Sequence, residues 1–184
     1  MPSDSQPAQH SSGAGLRRNA LDLIDHEHRM QAHLCDTLER IADSLPDEVD
    51  SKLCQQAVQS LRHDLPLHHR DEEAGLFPLL QKYSDPDGFI QGAIKRLEQE
   101  HGEDEGFSTE LIEQLENLGR TGRPQNANML GYMLRGFFES YRRHIHWENT
   151  TIMPYARAHL TGEDLRLLQD IMLRNRATQP GYQS

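Results

Sequence analysis

Two stretches of this 184-residue chain carry the same polar outline, HHRDEEAGLFP from His68 to Pro78 and HIHWENTTIMP from His144 to Pro154. Both read H-x3-E-x5-P. A histidine and a glutamate four residues apart lie one turn above each other on an α-helix, so each copy aims an imidazole and a carboxylate at one point. Two such pairs make a metal site the first chemistry to test. A single H-x3-E in a chain with 11 histidines is ordinarily an exposed pair, so the case rests on how these residues are phased within their helices.

Composition narrows the setting. The length fits one domain with a sizeable core. A formal charge of -10 and the lack of a Lys/Arg-rich run argue against nucleic acid and anionic membrane as partners, since both require a positive face. No apolar run approaches the length of a membrane span, and the opening MPSDSQPAQHSSGAG lacks the regions of a signal peptide, so a cytoplasmic protein is expected. Two cysteines, Cys35 and Cys54, are too few for a disulfide framework and suit a reducing compartment. Histidine is the over-represented residue, and imidazole is the commonest transition-metal ligand.

The elements that must position the pairs follow from periodicity. Residues 1–14 are poor in large apolar groups and read as a disordered tail. From Leu16 onward, steps of three and four place Leu21, Ile24, His28, Gln31, Cys35 and Leu38 on one stripe, which predicts a helix ending near Ser44. A second helix over 47–82 carries Leu61, Leu65, His68, Glu72 and Leu76 in phase, with Pro66 expected to kink or break it. Asp85 as N-cap and Pro86 at the first helical position begin a third over 86–118, with Leu97, His101, Glu105, Ser108 and Ile112 on its stripe. A fourth over 128–158 aligns Phe137, Tyr141, His144, Glu148 and Ile152. Thr161 then caps a short fifth helix, 162–176, that packs across the end, and 177–184 reads as a disordered tail.

Four long helices with short turns predict an all-α, up-down-up-down antiparallel four-helix bundle with a short C-terminal fifth helix. Residues at one height in such a bundle are equidistant from the turn between them. Glu48 is midway between His28 and His68, Ser84 and Asp85 flank the midpoint of His68 and His101, and Gly122 and Arg123 that of His101 and His144. All three fall at or within a couple of residues of predicted turns, so His28, His68, Glu72, His101, Glu105, His144 and Glu148 are expected in one inward layer. The same arithmetic separates Cys35 from Cys54 by roughly 10 Å along the axis, out of reach of a disulfide.

Three carboxylates inside a bundle with no inward Lys or Arg cost several kcal/mol each unless cations offset them. Two divalent ions answer that need, with Glu72 and Glu148 as candidate bridges and a bridging hydroxide or water. The mixed imidazole and carboxylate set favours iron, manganese or zinc. A polar network without metal is the alternative. His26, His33, His63, His69 and His146 fall off the stripes and are expected to be exposed or to support ligands; Glu73 and Glu100 are placed to hydrogen-bond them. Trp147, Phe77, Met153 and Tyr141 are read as packing around the site.

These residues resemble the hemerythrin-like, or HHE cation-binding, family. EHRMQ around His28, HHRDEEAGLFP around His68, QEHGEDE around His101 and HIHWENTTIMP around His144 carry the likeness, which spans about residues 16–158 and assigns 15–160 to the bundle. The resemblance implies a non-haem di-iron centre, with a bridging hydroxide or oxo group, whose open position takes oxygen or a related small ligand. Its ligands by position are His28, His68, Glu72, His101, His144 and Glu148. Oxygen-carrying members have a histidine in place of Glu105 and an aspartate five residues after the last histidine, where this chain has Glu148 at four. An anionic Glu105 ligand would favour the ferric state and disfavour reversible carriage, so redox or sensing chemistry is expected over transport.

The leading expectation is therefore a di-iron protein that binds or reacts with oxygen, peroxide or nitric oxide. A peroxide-consuming or ferroxidase-type enzyme is one alternative. An iron or oxygen sensor that signals to a partner protein is another.

Overall fold

The computed structural model describes residues 19–83 and 86–178 of the chain, and within them every regular element is helical. The predicted tail 1–14, the N-cap assignment of Asp85 and most of the tail 177–184 lie outside the described residues. Ala177 and Thr178 belong to the last helix.

Helix α1 (Ala20–Ser44) starts on a reciprocal cap, in which Asn19 accepts from the Asp22 amide at 2.9 Å and Asp22 accepts from the Asn19 amide at 3.2 Å. The second rod, residues 51–80, begins where Asp50 accepts from the Lys52 amide. It comprises α2 (Ser51–Gln59), α3 (Leu65–Asp71) and α4 (Phe77–Leu80), joined by π-helical turns at Ser60–Asp64 and Glu72–Leu76. Helix α5 (Phe89–Thr121) lies between Gly88 and Gly122, at φ 66° and 70°, where a side chain would be strained. Pro86 therefore sits in the turn before α5, not at its first position, because left-handed Gly88 breaks the helix there. The fourth rod is α6 (Ala127–Trp147), a π turn at Glu148–Ile152 and α7 (Met153–His159); α8 (Gly162–Thr178) follows a Thr161/Asp164 cap.

All three π turns precede a residue-proline step: Leu65-Pro66, Phe77-Pro78 and Met153-Pro154. Proline has no N–H, and its ring crowds the carbonyl four residues back. In each case the preceding residue instead bonds five back, Leu65 to Ser60, Phe77 to Glu72 and Met153 to Glu148. The wider turn absorbs the ring, so Pro66 does not break the second rod. The repeated H-x3-E-x5-P thus encodes a His/Glu pair with a π turn that starts at its glutamate.

Apolar side chains form two clusters along the rods. One gathers Leu34, Leu38, Leu61, Leu65, Leu111, Leu134 and Phe137; the other gathers Leu21, Ile24, Leu76, Phe77, Leu97, Ile152 and Leu168. On every rod the predicted histidine lies between the two: His28 after Ile24, His68 after Leu65, His101 after Leu97 and His144 after Phe137. Helix α8 packs on α1, α3 and the Glu72–Leu76 turn, burying Leu168 and Met172. Among the described residues no helix is long and apolar enough to cross a membrane.

Candidate metal centre

Six buried side chains converge where the two apolar clusters meet. The Nε2 atoms of all four histidines face two carboxylates: His28 is 3.3 Å from Glu148 and 3.7 Å from Glu72, His68 is 3.3 Å from Glu72, His101 is 3.4 Å from Glu72, and His144 is 3.2 Å from Glu148. Each of these residues is at most 4 % exposed. The far side of every ring is tied down. Nδ1 of His28 meets Asn149 at 2.8 Å, His68 meets Glu27 at 3.2 Å, His101 meets Glu73 at 2.9 Å, and His144 meets Glu100 at 3.0 Å. A carboxylate partner holds a proton on Nδ1, so Nε2 is the nitrogen turned inward, the orientation a metal ligand needs.

The inward atoms have no hydrogen-bond partner: Nε2 of His28, His68, His101 and His144, and both oxygens of Glu72 and of Glu148. Leaving so many polar atoms unmatched in a core would cost several kcal/mol each, whereas a cation satisfies them together. The donors fall into two groups whose atoms lie within 4.8 Å of one another. His28, His68, Glu72 and Glu148 form one; His101, His144 and Glu148 form the other.

The sequence profile of the hemerythrin HHE cation binding domain matches residues 19–156. The chain belongs to the hemerythrin HHE family. No curated protein and no solved structure matches it. Cation binding, with iron the expected metal, is the family property that this His/Glu cluster fits.

Glu105 is not in the cluster of this HHE chain. Its side chain is 53 % exposed and lies 3.7 Å from Nδ1 of His69, outside the ligand groups. The buried face of α5 runs through Leu97, His101, Asp104, Ser108, Leu111, Leu115 and Leu118, alternating steps of four and three, so Asp104 takes the inward place expected of Glu105. The leucines at 111, 115 and 118 are the signal in the sequence that fixes this phase. With Glu105 outside both groups, it supplies no extra anionic ligand to favour ferric iron.

His69, expected off the face, is buried at 1 % exposure. Its ring stacks on His101 at 3.9 Å and 8°, and its Nε2 meets the Tyr141 hydroxyl at 3.4 Å. Tyr141 in turn stacks on His144, and Phe77 on His101. Glu73 and Glu100 occupy the supporting places read from the sequence, whereas Glu27 and Asn149 are supports that it did not flag. Trp147 is half-buried and Met153 buried; His33 and His146 are exposed, and His26 and His63 intermediate.

The cage separates its groups by protonation. Burial works against charge on His28 and His144, but Glu148 and Glu72 outweigh it and raise them to about 11 and about 9. Burial holds His68 and His101 neutral, His101 at about 2. Burial and the neighbouring Glu148 charge push Glu72 up to about 8. Burial raises Glu148 too, but the neighbouring charges of His144 and His28 keep it ionised. Burial lifts Asp104 to about 7.

Proposed function

We propose that this HHE domain holds two iron ions, with manganese or zinc as alternative occupants, and uses them to bind or react with oxygen, peroxide or nitric oxide. The observation that carries the reading is Glu148, whose carboxylate belongs to both donor groups. Glu72 supports a second bridge, since its Oε2 lies 3.3 Å from His68 and 3.4 Å from His101. An up-down-up-down run of the four rods accounts for ligands from all four meeting at one height.

When bound, the ions supply Lewis acidity and electrons for small-molecule chemistry. The chain does the rest. Glu27, Glu73 and Glu100 hold three imidazoles in the tautomer that presents Nε2 inward. Phe77 and His69 stack on His101 and Tyr141 stacks on His144, so rings flank this side of the cage and would limit water there. Buried, free Cys35 and Cys54 accord with a reducing cytoplasm.

Anaerobic loading with ferrous iron tests the reading: two ions per chain are expected by metal analysis, and nitric oxide should then bind. Substantially fewer than two ions, or equal uptake by Glu148→Ala, overturns it. Turnover of peroxide in an oxygen electrode separates an enzyme from a binding protein.

A further inference from the structure

Of the three carboxylates that support cage imidazoles, one is held from outside the four rods. Glu27 on α1 accepts from His68 Nδ1 with Oε2 at 3.2 Å, and its Oε1 is paired with Arg176 near the end of α8. The same guanidinium donates through Nη1 to Asp71 at 2.7 Å, and to the Met172 carbonyl at 2.8 Å. Asn175 completes the grip, donating to the other Asp71 oxygen at 2.8 Å. Asp71 is fully buried and directly precedes the ligand Glu72. The side chains of Arg176 and Glu27 are 14 % and 18 % exposed, so this chain of contacts is largely sheltered from water.

The other two supports differ. Glu100, on His144, is held by Arg96, whose side chain is 70 % exposed, and Glu73, on His101, is 44 % exposed. Exposed pairs of that kind are screened and impose little geometry. A largely sheltered guanidinium forks between two carboxylates with fixed directions, which a point charge cannot do. The α8 helix is placed for this by its packing on the turn that carries Glu72. There, a Cβ on Gly75 would stand only 2.7 Å from Leu168 Cδ1, so glycine lets the helix seat closely.

We infer that Arg176 is a positioning residue for the metal centre, acting through Glu27 to fix the tautomer and aim of His68, so that α8 is a working part of the cation site. The inference rests on the proposed cation binding. Removal of the guanidinium frees Glu27 to swing into solvent and leaves the His68 Nδ1–H without a fixed acceptor. Supporting partners of metal-bound histidines characteristically change affinity by about 10–100-fold.

The test uses the full chain stripped by chelator and loaded with cobalt(II), comparing wild type with Arg176→Gln and Asn175→Ala. Cobalt affinity is measured by chelator competition, and the hyperfine-shifted, exchangeable imidazole N–H signals by NMR. Arg176→Gln should lower affinity about 10–100-fold and shift or exchange-broaden one N–H signal while the rest stay in place. Asn175→Ala, which removes another α8 contact to Asp71 but leaves Glu27 held, should stay within about threefold with its signals unmoved. Unchanged affinity and signals in Arg176→Gln overturn the inference, and so does an equal loss in Asn175→Ala, which would reveal only a general need for a docked helix. A wild-type chain that takes up no cobalt overturns the cation-binding reading itself.

Discussion

Cation binding should release protons, and the cage sets how many. At neutral pH the metal-free site carries three that a ligand set cannot keep: one on His28 (about 11), one on His144 (about 9) and one on Glu72 (about 8). His68 and His101 are already neutral, and Glu148 already ionised, so they contribute none. Loading therefore expels about three protons below pH 8, and the overall binding constant should rise by about a thousandfold per pH unit between pH 6 and 7, or about 4 kcal/mol. The metal-free fold should move the opposite way over pH 7–9. Glu72, His144 and His28 bind protons more tightly folded than unfolded, so their stabilising share is lost as pH climbs toward and through those values. Isothermal titration calorimetry in two buffers of different ionisation enthalpy counts the protons, and thermal melts of the stripped protein follow stability. Release of fewer than one proton, together with flat affinity from pH 6 to 7, would refute the reasoning.

Other outcomes follow from the same geometry. Glu148→Gln should abolish tight binding of both ions, whereas His101→Ala should spare the group of His28, His68 and Glu72 and leave about one ion, as read by metal analysis. Glu105→Ala should leave metal content unchanged, because its exposed carboxylate lies beside His69 and outside both donor groups. Leu38→Ala, in the centre of one apolar cluster at 0 % exposure, should cost about 2–5 kcal/mol in urea denaturation whether or not metal is present.

Much of this site was legible in the order of residues because helices convert spacing into direction. His28, His68, Glu72, His101, His144 and Glu148 were found by phase and by turn positions alone, and the structure gathers all six. Two failures have a common cause. A stripe can drift by one residue and still look periodic, so the spacing from His101 points to Glu105, although Leu111, Leu115 and Leu118 fix the phase on Asp104. The sequence reading misses His69 because π turns on either side of α3 alter the phase that an uninterrupted helix would have, and periodicity treats Pro66 only as a kink or break. The bond from Arg176 to Glu27 joins residues 149 positions apart on different helices, which no local periodicity encodes.

The two separate apolar clusters have a mechanical meaning. Helices α1 and α5 run without interruption through both clusters, but where the histidines and glutamates meet neither cluster supplies apolar contact. On the proposed reading, bound cations would tie the two together at that level.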